Sequence, residues 1–321
     1  MIAAALLLQA ALTIGVPGPP GSVEYLALRL AQAEGHFAAE GLTVTLRPAR
    51  AETAAAETMA QGRLDLAATS LDGAIKLGHV KGAPPRLVFG LSRAPAVALL
   101  VRATGAEEIR TPADLVGKKV GIPAPGTPEH THLLSLLAHA DVPAQRVQLE
   151  SLGDARLAQA IASGAVAAGM IGEPWATRLL ADGQARALAD LRQPDGAKTW
   201  LGADTVHAAV WAPAESRLGA AELVALDRAL LKAVARLRSA PAAELAERLG
   251  HAVTGEPADW AARLAAARGV LLPDGVVSAE TLEASVKLLR QRTPLPAKVI
   301  LPSDLGDLIA AEPLREALRR R

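Results

Sequence analysis

IGVPGPPGS (Ile14–Ser22) and VGIPAPGTP (Val120–Pro128) are two versions of one turn. In each, a short apolar run stops at a cluster of proline and glycine and then passes into a helical pattern. Proline fixes φ and glycine carries no Cβ, so such a loop is stiff yet lets a ligand approach its backbone. Working outward from the first copy, ALTIGV reads as a strand. Leu26, Leu30, Ala33 and Phe37 then mark one helix face behind Ser22 as N-cap. LTVTLRPA alternates like a strand, ETAAAETMAQ reads as a helix closed by Gly62, RLDLAATS as a buried strand and LDGAIKLGHV as a helix. The second copy repeats the series: the strand KKVGIP, the loop APGT, then PEHTHLLSLLAHA with Thr127 as N-cap and Pro128 at the first helical position. VQLESL, DARLAQAIAS closed by Gly164, and AVAAGMI complete it. Gly15 and Gly62 lie 47 positions apart and Gly121 and Gly164 lie 43 apart, so the two units have nearly one spacing.

Strands that alternate with helices imply βαβ units, hence parallel-rich sheets covered by helices. The expected fold is α/β, two Rossmann-like lobes with a helical C-terminal part. In such sheets ligands sit beyond the carboxyl ends of the strands, where both proline/glycine loops fall. RLVFGLS and PAVALLVR follow the first unit, with Val97–Arg102 a candidate crossing between lobes, and DTVHAAVWAP is a candidate return. Lobe 1 is therefore expected over 12–98 plus 206–321 and lobe 2 over 99–205. Helices are expected at Ala220–Ser239, Ala242–Leu249, Pro257–Arg268, Ser278–Arg292 and Pro313–Arg320.

The composition excludes several classes of function. With 34 basic and 33 acidic residues in 321, interspersed along the chain, nothing points to nucleic acid or to a membrane surface. There is no cysteine, so disulfides, a thiolate nucleophile and sulfur-ligated zinc are ruled out. No apolar run approaches the roughly 18 residues of a membrane span. MIAAALLLQAA (residues 1–11) resembles the apolar part of a secretory signal but lacks a preceding Lys or Arg, which leaves an apolar extension as its alternative.

AQAEGHFAAEGLTVTL, MAQGRLDLAATS, IRTPADLVGKKVGIP and IASGAVAAGMIGEPW, in this order and spacing, resemble the substrate-binding proteins of the nitrate, taurine, sulfonate and thiamine-precursor class of ABC importers. The resemblance covers about Leu12 to Val210. It implies a type II periplasmic-binding fold, a cleft that closes on one small molecule, and delivery to a membrane permease and its ATPase. It also implies a periplasmic, monomeric protein without cofactor or metal. Members of the family often carry Asp in the second G-x-x-D-A signature; here that position is Ala167, while the first copy keeps Asp65.

Four strand-to-helix junctions are expected to face the cleft: Pro17–Tyr25 (with Pro19 and Ser22), Thr69–Asp72, Gly126–His130 and Gly172–Trp175. Their free N–H groups and partial positive charge suit an anionic oxygen. The hydroxyls of Ser22, Thr69, Ser70 and Thr127 either meet a ligand or cap their own helices. Tyr25 and Trp175 either stack on a ligand or pack in the core. Glu173, fixed in an extended loop by Pro174, is a cleft residue by the resemblance. His130 and Arg93 are candidate donors to an anion. His130 and His132, two apart on a helix, point to different sides and cannot share a metal. Near the same junctions Glu24, Asp72, Glu129 and Glu173 favour an amine or heterocycle. The first-turn acids are explained by the helix dipole, so Glu173 alone counts against an oxyanion. The solute is expected to be sulfonate-like, nitrate-like or pyrimidine-like. Sensing through a receptor and biosynthetic catalysis on the same fold are the alternatives; no nucleophile–base spacing or phosphate-loop motif supports an enzyme.

Overall fold

A computed structural model describes residues 10–18, 22–105, 108–292, 295–297 and 299–319. Residues 1–9 of the candidate signal (1–11) and the candidate ligand residue Pro19 lie outside them, while Ala10 and Ala11 open the first strand. Among the described residues, ten strands form two five-stranded sheets. The first contains β1 (Ala10–Pro17), β2 (Leu42–Ala49), β3 (Leu66–Ser70) and β4 (Arg86–Ser92). The second contains β5 (Val97–Arg102), β6 (Lys119–Ile122), β7 (Gln148–Ser151), β8 (Ala168–Gly172) and β9 (Ala185–Asp190); β10 (Ala208–Ala212) returns to the first. The orders are β2-β1-β3-β10-β4 and β7-β6-β8-β5-β9. In each sheet the repeated βαβ unit pairs in parallel, Ile14 with Leu46 and Leu66, Val120 with Leu149 and Ala168. Each sheet also takes one antiparallel strand, β10 or β5, that has just arrived from the other sheet.

The two crossings are thus residues 93–96 and 191–207. Val97–Arg102 is a strand of the second sheet, not a bare linker, because VALLV is apolar throughout and every one of these five residues is buried. β9 was not expected from the sequence; ARALAD has a helix-forming composition, and pairing with β5 overrides it. The helix Trp175–Ala181 follows the expected junction at Gly172–Trp175, whereas the helix Gly196–Leu201 was not expected.

Neighbouring elements pack closely on the first strand of each unit. A Cβ on Gly15 would stand 2.5 Å from Leu64 Cδ1 in the loop before β3 and 3.5 Å from Ala55 on the helix Glu52–Ala60, and one on Gly121 would stand 2.2 Å from Leu157 Cδ1 on the helix Asp154–Ser163. Glycine in a strand costs roughly 0.5–1 kcal/mol. The fully buried Leu12, Ile14 and Val16 beside it contribute about 1.5–3 kcal/mol each, so burial wins. In the C-terminal part, the helix Ala220–Ser239 covers Leu26–Ala33 and meets Ala311–Arg319. Pro257–Val270 touches both the 3-10 turn Val23–Tyr25 and Trp175–Ala181, and Ala279–Arg292 touches both Leu71–Leu77 and Pro128–His139. These two helices therefore bridge the halves.

Candidate functional site: a cleft between the sheets

The carboxyl ends of both sheets face a cavity of about 660 Å³. Pro17, Gly18 and the turn Ser22–Tyr25 line it from the first unit, and Pro125–Glu129 with Gly172–Pro174 line it from the second. Gly18 (φ 73°) and Gly126 (φ 81°) take the left-handed conformation in the two opening turns, which now stand on opposite walls of one space. The crossing contributes Pro95–Val97, the return contributes His207, and the C-terminal part adds Arg263 and residues near Val253.

The wall of the first lobe carries a hydrogen-bonded chain. The Tyr25 hydroxyl donates to Glu52 Oε1 at 2.7 Å, and His207 Nε2 lies 3.5 Å from the same oxygen. Burial opposes ionisation of Glu52, yet the His207 charge and the bonds from His207, Tyr25 and Ser70 together hold its pKa below the usual carboxylate value. Burial alone would lower His207, but the charges of Glu52, Glu24 and Asp72 raise it. Burial and the neighbouring Glu52 push Tyr25 well up. Glu24 Oε1 accepts the Ala96 N–H at 2.8 Å, and burial pushes its pKa up despite the pull of His207.

On the facing wall, Thr127 caps the helix Pro128–His139, its Oγ1 accepting from the His130 N–H. The Glu129 carboxyl packs against the end of β8, where a Cβ on Gly172 would come within 2.9 Å of Oε1. Burial raises the Glu129 pKa, and the charges of Asp154 and Glu24 add to it. Glu173 precedes a cis peptide to Pro174. Its Oε1 accepts from Arg192 Nη1 at 2.9 Å and from the Thr177 hydroxyl at 3.0 Å, while Arg192 also holds Asp190 at 2.7 Å.

Of the residues singled out by sequence, Ser22, Tyr25, Gly126, Thr127 and Glu173 line the cavity together. Thr69 and Ser70 stand behind it: Thr69 Oγ1 donates to the Glu52 carbonyl at 2.6 Å, and Ser70 Oγ accepts from the Gly73 N–H at its own helix start. Asp72 points into a separate small pocket and pairs with Lys76 and Arg292. Arg93 ties the crossing to the return, donating to the carbonyls of Pro194 at 2.7 Å and Leu271 at 3.1 Å. His130 Nδ1 accepts from the Gly126 N–H at 2.9 Å, so it braces the turn instead of facing the cavity. Trp175 packs beside Leu179 and under the Arg178 guanidinium. Glu173 is matched by Arg192 and is therefore not the acid that weighs against an oxyanion. Sequence reasoning missed Glu52, His207, Arg192 and Arg263. The first opens a helix directly after β2 and the second lies in the return crossing, signals that were available; Arg192 and Arg263 had none. Among the described residues, no group of His, Asp or Glu has the arrangement of a metal site, and no helix is long and apolar enough to cross a membrane.

Residues 23–199 match the NMT1/THI5-like family model. A solved protein from Bordetella bronchiseptica RB50 is 25% identical with a TM-score of 0.77, over 97% of this chain and 98% of its own. The periplasmic aliphatic sulphonate-binding protein SsuA of Escherichia coli is 22% identical with a TM-score of 0.72, over 95% and 99%. The desulfurization enzyme DSZB has the same fold at 19% identity, with a TM-score of 0.61 over 97% and 99%. A search of the curated proteins returns no match. The two sheets and their helical C-terminal part form a type II periplasmic-binding fold, and the chain belongs to the NMT1/THI5-like family.

Proposed function

We propose that this protein is the solute-binding component of an ABC importer, working in the periplasm as a monomer and handing a small organic solute to a permease and its ATPase. The observation that carries the reading is the cavity of about 660 Å³ whose opposite walls come from the two copies of one unit. That volume lies within the range of small-molecule sites. The lobes, divided near 98 and 206, turn about the crossings at 93–96 and 191–207, which Arg93 fastens together. A ligand shifts the open and closed populations by its differential affinity for them.

X-ray scattering with and without a ligand found by a thermal-shift panel tests this. Saturating ligand contracts the particle, and at 100 times its dissociation constant it stabilises the fold by about 2.7 kcal/mol. Stabilisation without contraction refutes capture by closure.

The Tyr25–Glu52–His207 chain favours a second reading, acid–base catalysis in the cleft. Chromatography of whichever compound stabilises the protein separates the two readings: recovery of unchanged compound supports binding, and appearance of product supports catalysis.

A further inference from the structure

We infer that the cleft takes a small organic cation, an amine, amidine or guanidine held between Glu24 of the first lobe and Glu129 of the second, and turns sulfonates away. The inference rests on the solute-binding reading and names the solute class for the same cavity.

Five carboxyl groups line the space: Glu24, Glu52, Glu129, Asp154 and Glu173. Two of them form direct ion pairs inside the protein, Glu173 with Arg192 and Glu52 with His207. Glu24 has the Ala96 N–H, and among the described residues neither Glu24 nor Glu129 forms an ion pair. They belong to the two opening turns, and each lies within reach of the other's charge. Opposing them are Arg263, which spends Nη1 on the Thr254 carbonyl, and His207, already committed to Glu52. A sulfonate closed into this space is repelled from both walls whenever Glu24 and Glu129 ionise and is accommodated only while both stay protonated. A cation instead supplies the ion-pair partner that neither acid has among the described residues, adding to the longer-range pull of His207 and Arg263 on Glu24, and it does so only when the lobes come together.

The titration behaviour gives the inference a sign. Glu24 faces Glu52 and His207, with Arg263 on the neighbouring helix; Glu129 faces Asp154 and Glu24. Burial favours the protonated form of both acids, so an entering cation expels protons and binds more tightly as pH rises. An anion favours the protonated acids, takes up protons and binds more tightly as pH falls.

Thermal shift with agmatine, benzamidine, putrescine and choline as one arm, and taurine, methanesulfonate and nitrate as the other, is the first measurement. Titration calorimetry of the best compound in phosphate and in Tris then gives the proton count. The expected result is stabilisation by a cation with proton release, and a dissociation constant raised tenfold or more in both Glu24→Gln and Glu129→Gln. These replacements keep side-chain shape and a hydrogen-bond acceptor. Stabilisation by taurine or methanesulfonate in place of the cations, proton uptake, or unchanged affinity in both variants overturns the cation assignment while solute binding stands. No response to either arm at millimolar concentration overturns both.

Discussion

The two copies of the unit fasten their charged residues at opposite ends of the sheet. In the first copy, Asp65 lies just before β3, away from the cleft. Its Oδ2 accepts from the Thr13 N–H at 2.7 Å and the Thr13 hydroxyl at 2.8 Å, and Oδ1 accepts from Arg217 at 2.6 Å. In the second copy the equivalent residue is Ala167. Its N–H bonds the Lys119 carbonyl at 2.9 Å, as the Asp65 N–H bonds the Thr13 carbonyl at 3.1 Å, but alanine has no side-chain group to clamp the base, while the half-exposed Lys119–Glu150 pair ties β6 to β7 nearby. The second copy is fastened at its mouth, where Arg192 joins Glu173 and Asp190 across the ends of β8 and β9. The missing signature aspartate therefore concerns the foot of a strand and leaves the cleft alone. The clamp at the mouth, by contrast, uses up a carboxylate that faces the ligand space.

Removing the mouth clamp should have the largest effect. Arg192 and Glu173 have side chains only 8% and 5% exposed, so Arg192→Met leaves the buried Glu173 and the partly buried Asp190 without their shared cation. A loss of about 3–5 kcal/mol in urea unfolding at neutral pH is expected. Adding Glu173→Gln should restore part of it. A cost under about 1 kcal/mol for the single variant would show that the second copy needs no clamp.

The base clamp should matter less. Asp65→Ala removes two bonds to Thr13 and one to Arg217, with an expected cost of about 1–3 kcal/mol at pH 7. Arg217 is 67% exposed, so solvent screens its share and the Thr13 bonds dominate. Burial opposes ionisation of Asp65, but these bonds hold its folded pKa below normal. Its contribution is thus complete above the unfolded value of about 3.9 and fades as pH falls through the folded value. Wild type and variant should converge in acid; a gap that persists at pH 2 would mean that packing, not charge, holds the base.

Most of the architecture was legible because local pattern and tertiary demand agree. Leu42–Ala49 alternates, Thr127–Pro128 starts a helix, and Gly164 ends one with φ 78°. β9 was hidden because its alanines carry no strand preference until β5 lies beside them. The cleft was legible to the level of its turns but not of its charges. A helix start has two sides, and the sequence does not say which one faces the ligand: Thr127 lines the cavity while His130, three residues on, braces the loop. Glu52 and His207 are 155 positions apart, and only the return of β10 beside β3 brings them together.

The helix Ala220–Ser239 follows the return to the first sheet and carries the least compensated acid. Asp227 is fully buried, both its oxygens lack a partner among the described residues, and burial pushes its pKa well up. A raised folded pKa means that stability is lost as pH climbs above the unfolded value. Asp227→Leu should therefore gain about 1–2 kcal/mol at pH 8 and less at pH 4, by chemical denaturation. An equal gain at both pH values would trace the effect to packing.

The smallest effect in stability joins the two copies. Arg178, on the helix that follows β8, donates through Nε at 2.9 Å and Nη2 at 2.6 Å to Asp259, on the helix that packs against Val23–Tyr25. Arg178 is 37% exposed, so screening limits the pair to about 0.5 kcal/mol, and Asp259→Asn should barely move the unfolding midpoint. Half a kilocalorie is nevertheless about a twofold change in an equilibrium between open and closed lobes. Scattering at low ionic strength should therefore report a larger mean radius for Asp259→Asn than for wild type, and added salt, which screens the pair, should remove most of the difference. If the variant instead loses more than about 2 kcal/mol of stability, the contact belongs to the folded core of both copies and is not a latch between them. A radius difference that survives high salt would place the effect in the packing of the two helices.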